Sequence, residues 1–144
     1  MSLGSWTTRL VLVCVLLIGG VVVWAYNMPK SKPAVAGAIE AGPADLAKAA
    51  ASGLPYVAKI GSDSCIPCRQ MNPIMDSLAR AFEGKVGFYK VDVYRYQDVA
   101  AKYGVRVIPT LVLFAPGGSV LYNHEGYLSE DALTELMRSQ GMID

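Results

Sequence analysis

Cys65 and Cys68 stand two residues apart in the stretch Ser62 to Met71, SDSCIPCRQM, and that pair constrains the chain more than any other feature. The only other cysteine, Cys14, lies inside a long apolar run near the N-terminus, so these two are the pair available to each other. Immediately before them YVAKIG, Tyr56 to Gly61, has the composition of a strand. Immediately after them Met71, Met75, Leu78 and Phe82 recur at helical spacing, which predicts a helix over Cys68 to Phe82 with Gly84 as its stop and Pro73 as a kink. The thiols therefore sit where a strand gives way to a helix.

The same alternation continues on both sides. ADLAKAAAS before Gly53 predicts a short helix, Val86 to Val93 a second strand, and Gln97 to Tyr103 a short helix ended by Gly104. Val107 to Phe114, VIPTLVLF, predicts a third strand, turned by Pro116, Gly117 and Gly118 into a fourth at Val120 to His124. Ser129 suits the N-cap of a last helix in which Leu133, Leu136 and Met137 face inward. Strands joined through helices lie parallel, and the closing hairpin adds an antiparallel pairing. The expected fold class is α/β, a central mixed sheet flanked by helices on both faces. Tyr89, Tyr94, Tyr96 and Tyr103 are expected to pack around the sheet and the short helix.

With 144 residues there is room for one ordinary domain and little else. Residues 1–28 are expected to hold a short cytoplasmic head and one N-terminal transmembrane helix, 29–42 a linker, and 43–144 the folded domain. Leu10 to Tyr26 is an uncharged apolar run flanked by Trp6, Trp24 and Tyr26, long enough to span a bilayer with Asn27 and Met28. A cleavable signal peptide is the rival reading, because Val23 and Ala25 have the spacing that signal peptidase accepts. A short head before an apolar run is the arrangement of an N-in signal anchor, which puts the domain outside the cytoplasm, periplasmic in a bacterium. Asn27 to Gly42 is rich in Pro, Ala and Gly and reads as a tether. Beyond Arg9 and the apolar run, 12 Lys and Arg balance 12 Asp and Glu with no basic run, which gives no electrostatic reason to bind nucleic acid.

Thiolate is the reactive form of cysteine, and a helix N-terminus favours it through unpaired N–H groups and the helix dipole. Cys65 is placed to attack, and Cys68, one turn deeper, to resolve a mixed disulfide formed there. Pro67 lacks an N–H that would be unpaired at that position in any case. Alone, the pair also allows half a metal site. Structural zinc wants four ligands, and Cys65, Cys68 and His124, the single histidine, supply three at best. A metal shared between two chains stays open; within one chain no metal is expected. Cys14 reads as membrane filler and His124 as a surface residue.

The C-x-P-C pair after a strand, the Pro73 position and Val107-Ile108-Pro109-Thr110 together resemble the thioredoxin superfamily, from about Pro43 to the C-terminus. The resemblance implies a thioredoxin-like fold in which Pro109 is cis and faces the cysteines, with Ser64, Ile66, Pro67, Ile108 and Gly126 forming the substrate groove. It implies a protein disulfide oxidoreductase that needs no cofactor beyond the redox-active Cys65–Cys68 disulfide and takes disulfide-containing proteins as substrates. Ile108 before the proline and Pro67 within the pair resemble reductases more than oxidants. An extracytoplasmic reductase would need a membrane thiol electron donor. An oxidase or isomerase of the same fold, and a non-catalytic metal-binding or assembly module, are the alternatives. Two positions depart from the family pattern: Ser64 stands where a tryptophan is usual, and Lys59 where a buried acid on the strand before the pair is usual. Lys59 is therefore a candidate for tuning the pKa of Cys68, against the alternative of a strand lysine that snorkels to solvent.

Overall fold

The computed structural model describes residues 11, 13–19 and 37–144. The chain divides into two compact units, Met1–Ala34 and Val35–Asp144. In the first, residues 13–19 are helical, and Val11, Val13, Val15, Leu16, Leu17 and Ile18 are exposed. The remainder of the expected spanning segment, and the tether up to residue 36, lie outside the described residues. No helix among the described residues is long and apolar enough to cross a membrane.

The second unit is built from β1 (Ile39–Glu40), α1 (Pro43–Ala51), β2 (Tyr56–Gly61), α2 (Ile66–Ala81), β3 (Gly87–Asp92), α3 (Gln97–Lys102), β4 (Thr110–Phe114), β5 (Val120–Glu125) and α4 (Glu130–Ser139). The five strands form one mixed sheet in the order β1-β3-β2-β4-β5. β2 pairs parallel to β3 and antiparallel to β4, and β4 pairs antiparallel to β5. The α/β class and the closing antiparallel hairpin are as the sequence predicts.

Alternation along β2 divides the interior. Val57 points to one face with Phe88, Leu111 and Leu113, where Met71, Met75 and Leu78 of α2 and Leu133 and Met137 of α4 cover it. Ala58 and Ile60 point to the other with Val91, Val112 and Phe114, under Leu46 and Ala49 of α1 and Val99 of α3. All six residues of β2 are buried, as a central strand with helices on both faces requires.

Five expectations need correction. β4 follows β3 through α3 but runs antiparallel to β2 and β3 rather than parallel, because the six-residue α3 is too short to carry the chain back along the sheet, and β4 starts at the end where β3 stops. Ile39–Glu40, placed in the tether, is a strand that pairs parallel with Tyr89 and Lys90; two residues are too few to show a period. The third strand begins at Thr110 rather than Val107. Pro109 has no N–H for a ladder, and Thr110 Oγ1 donates to Val107 O at 2.6 Å, so residues 107–109 form a loop. Helix α2 begins at Ile66 and runs unbroken through Pro73 to Ala81. Tyr94 is 68% exposed, whereas Tyr89, Tyr96 and Tyr103 pack with the core.

Candidate active site

Cys65 is the N-cap of α2: its backbone is extended, and its Sγ accepts the Cys68 N–H at 3.3 Å. Cys68 is fully buried and joined to Cys65 in a disulfide, with the two Cα atoms 5.2 Å apart. Cys65 is half-buried, while Ser64 and Ile66 beside it are exposed. The loop that leads in is held by its own polar groups. Ser64 N donates to Ser62 Oγ at 3.1 Å, the Ser62 and Ser64 hydroxyls share a 2.6 Å hydrogen bond, and Arg69 Nη1 donates to Asp63 O at 2.8 Å. One sulfur is presented at the dipole-positive end of a 16-residue helix, the other beneath it.

The Ile108–Pro109 peptide is cis, and Ile108 O lies 3.8 Å from Cys65 Sγ. Gly126 N donates to Pro109 O at 2.7 Å, which ties the loop after β5 to the proline loop. Gly126 has φ +101, a conformation open to glycine and strained for other residues. Of the residues singled out from the sequence, Ser64, Ile66 and Pro67 adjoin the cysteines in the chain, the Ile108–Pro109 loop approaches Cys65 through the Ile108 carbonyl, and Gly126 is joined to that loop through Pro109 O. Ile66, next to Cys65 in the chain, is 63% exposed, and Val107 and Tyr127, next to Ile108 and Gly126, are each 47% exposed.

Gly61 was missed from the sequence. A Cβ at this position would lie 2.8 Å from Cys68 Sγ and 3.3 Å from Cys68 Cβ. The last residue of β2 has no side chain because the buried sulfur occupies that space. A glycine at the end of an apolar strand, directly before the cysteine motif, was the available signal.

Lys59 does not snorkel. It is 4% exposed, its Nζ donates to Cys68 O at 3.4 Å, and it hydrogen-bonds Asn72 Oδ1. Desolvation pushes its pKa down, with Lys90 acting in the same direction and Glu40, Asp63 and Asp76 opposing. Lys90, its neighbour across the β2–β3 pairing, makes ion pairs with Glu40 at 3.2 Å and Asp76 at 3.5 Å. His124 on β5 pairs in register with Leu111 on β4 and makes no contact with the cysteines that the site uses. Among the described residues no group of three or more His, Cys, Asp or Glu side chains is arranged to hold a metal ion. Cys14 is a free, exposed cysteine.

A disulfide whose outer sulfur caps a helix and faces a cis-proline loop, on a mixed sheet covered by helices, defines a protein disulfide oxidoreductase. Comparison with known proteins agrees. Residues 47–139 match the Thioredoxin family. Thioredoxin of Pseudomonas aeruginosa is 36% identical over 83 residues, 58% of this chain and 76% of that protein. Chloroplastic Thioredoxin M4 of Arabidopsis thaliana is 38% identical over 66 residues, 46% of this chain and 34% of that protein. A mutant thioredoxin from Halobacterium salinarum superposes with a TM-score of 0.67 at 31% identity, covering 76% of this chain and 95% of that one. The chain belongs to the thioredoxin family.

Proposed function

We propose that this protein is a membrane-anchored thiol–disulfide reductase of the cell envelope, acting on disulfide-containing proteins. The observation that carries the reading is the unequal exposure of the pair, Cys65 half-buried at the helix N-terminus and Cys68 fully buried below it. In the reduced protein the Cys65 thiolate attacks a client disulfide, forming a mixed disulfide and releasing one client sulfur as thiolate. Cys68, deprotonated, then attacks Cys65 Sγ. The Cys65–client bond breaks, the Cys65–Cys68 bond forms, and the client leaves carrying both electrons. Ser64, Ile66 and Pro67 on one side and Ile108, Pro109 and Gly126 on the other receive the client backbone, with the exposed Ile66, Val107 and Tyr127 side chains flanking it.

The uncharged run Leu10 to Tyr26, together with the exposed apolar side chains at residues 11, 13 and 15–18, supports an N-terminal anchor, and the short head before that run supports an orientation with the domain outside the cytoplasm. A reductase in that position draws electrons from a membrane-embedded thiol carrier. Clients of the matching class are apocytochromes and disulfide-bonded envelope proteins.

One observation favours the rival direction: a cation such as Lys59 beneath the pair stabilises a reduced thiolate, and a stabilised reduced form makes a stronger oxidant. The reduction potential separates the two. A value close to that of thioredoxin, about −270 mV, supports the reductase, and one close to about −120 mV overturns it in favour of an oxidase. Insulin reduction by the wild type, abolished in Cys65→Ser, tests the catalytic reading itself.

A further inference from the structure

Lys59 is the one buried charged side chain among the described residues, and nothing in the exchange steps above uses it. It sits on β2 two residues before Gly61, and Gly61 lies directly against Cys68. Its ammonium donates to the main-chain carbonyl of Cys68 itself and to Asn72, so it is fastened to the first turns of α2 rather than to the sheet. Burying an ammonium is costly unless acceptors and counter-charges surround it. Here the facing groups are Asn72 and Asp76 of α2, Lys90 of β3, Glu40 of β1 and Asp63 of the loop before the pair. Lys90 is the one like charge, and Glu40 and Asp76 both pair with it, which leaves the site less repulsive than two bare lysines would be. A cavity of about 20 Å³, bounded by Glu40, Lys59, Gly61, Ser62, Asp63 and Lys90, opens beside the ammonium. It is large enough for a single water and so for proton exchange with solvent.

We propose that Lys59 is a positioning residue for the resolving step: it anchors the first turn of α2 through Cys68 O and supplies the buried positive charge that favours the Cys68 thiolate once the disulfide is open. The inference rests on the reading that Cys65 attacks and Cys68 resolves. Cys68 is fully buried, and burial alone disfavours its thiolate. A resolving cysteine held as a thiol cannot break the mixed disulfide. An ammonium tied to the same residue offsets that penalty.

The test is the pKa of Cys68 in the reduced full-length protein, read by NMR of labelled cysteine, together with the rate at which a mixed disulfide at Cys65 is released. In Lys59→Met the Cys68 pKa is expected to rise by about one unit or more, a tenfold loss of thiolate at neutral pH. The remaining thiolate is intrinsically more nucleophilic, by about threefold per unit, so release slows by about threefold rather than tenfold. Lys59→Arg, which keeps the charge, is expected to restore both values towards wild type, and the reduction potential of Lys59→Met to fall. A Cys68 pKa and release rate unchanged in a folded Lys59→Met protein would overturn the proposal. Should that variant not fold, titrating Cys68 in Cys65→Ser with Lys59 intact decides: a value below about 8.5 is expected, and one above it overturns the role. Insulin reduction by the wild type is scored separately. Its absence would sink the functional reading, while the titration still answers for Lys59.

Discussion

Gly61→Ala inserts one methyl group where the buried sulfur of the pair already sits. The new Cβ would lie 2.8 Å from Cys68 Sγ and 3.3 Å from Cys68 Cβ, so one side must yield. The strand is the stiffer side. Gly61 pairs with Asp92, and its carbonyl accepts the Val93 N–H at 2.8 Å. In the oxidised protein Cys68 is held by its bond to Cys65, whereas in the reduced protein its side chain is free to rotate away. The strain therefore falls mainly on the oxidised state. Overpacking of this kind costs about 1–3 kcal/mol. For a two-electron couple about 1.4 kcal/mol corresponds to about 30 mV, so the reduction potential is expected to rise by roughly 20–65 mV. Equilibration against glutathione at graded ratios measures the shift, and melting of both redox forms locates the strain. An unchanged potential in a folded variant, or equal destabilisation of both forms, would refute the steric argument.

Two further outcomes follow from other parts of the domain. Burial, reinforced by Tyr103 and Tyr89, pushes the Tyr56 hydroxyl up to about 12 from 10.0. A raised pKa means the folded state holds the proton more tightly than the unfolded one, so stability is intact below pH 10 and is lost as pH rises towards about 12; Tyr56→Phe should flatten that alkaline loss in pH-dependent denaturant unfolding, and an unaltered slope would count against it. Asp76 accepts the Ala38 N–H at 2.9 Å and pairs with Lys90 at 3.5 Å. Asp76→Ala should cost about 1 kcal/mol and speed hydrogen exchange at Ala38 first, because that N–H donates to the Asp76 carboxylate itself, whereas Ala41 N–H is held by Lys90 O.

The parts of the site that proved legible beforehand were those whose chemistry and spacing are local. Cys65, Cys68 and Pro67 announce a helix N-terminus because the residue types required there are adjacent in the chain. Pro109 was legible through Ile108 and Thr110 and the resemblance they carry. The strand boundary at Thr110 was not, because VIPTLVLF is uniformly apolar and only the proline loop ends the pairing. Ile39–Glu40 escaped because its pairing with β3 is a long-range event with no period of its own. Lys59 shows the limit most clearly. Its position was suspicious from the departure it makes, yet its burial depends on Asn72, Lys90, Asp76 and Glu40, which three different elements bring together. Gly61 needed the location of a single sulfur atom.

The division of labour between Cys65 and Cys68 is tested most directly by trapping. Reduced Cys68→Ala and Cys65→Ala proteins are each mixed with insulin, and intermolecular disulfides are resolved on non-reducing gels. Exposure of Cys65 and burial of Cys68 predict that Cys68→Ala accumulates a stable covalent adduct while Cys65→Ala yields none. Equal adducts from both variants, or an adduct from Cys65→Ala alone, would contradict the account.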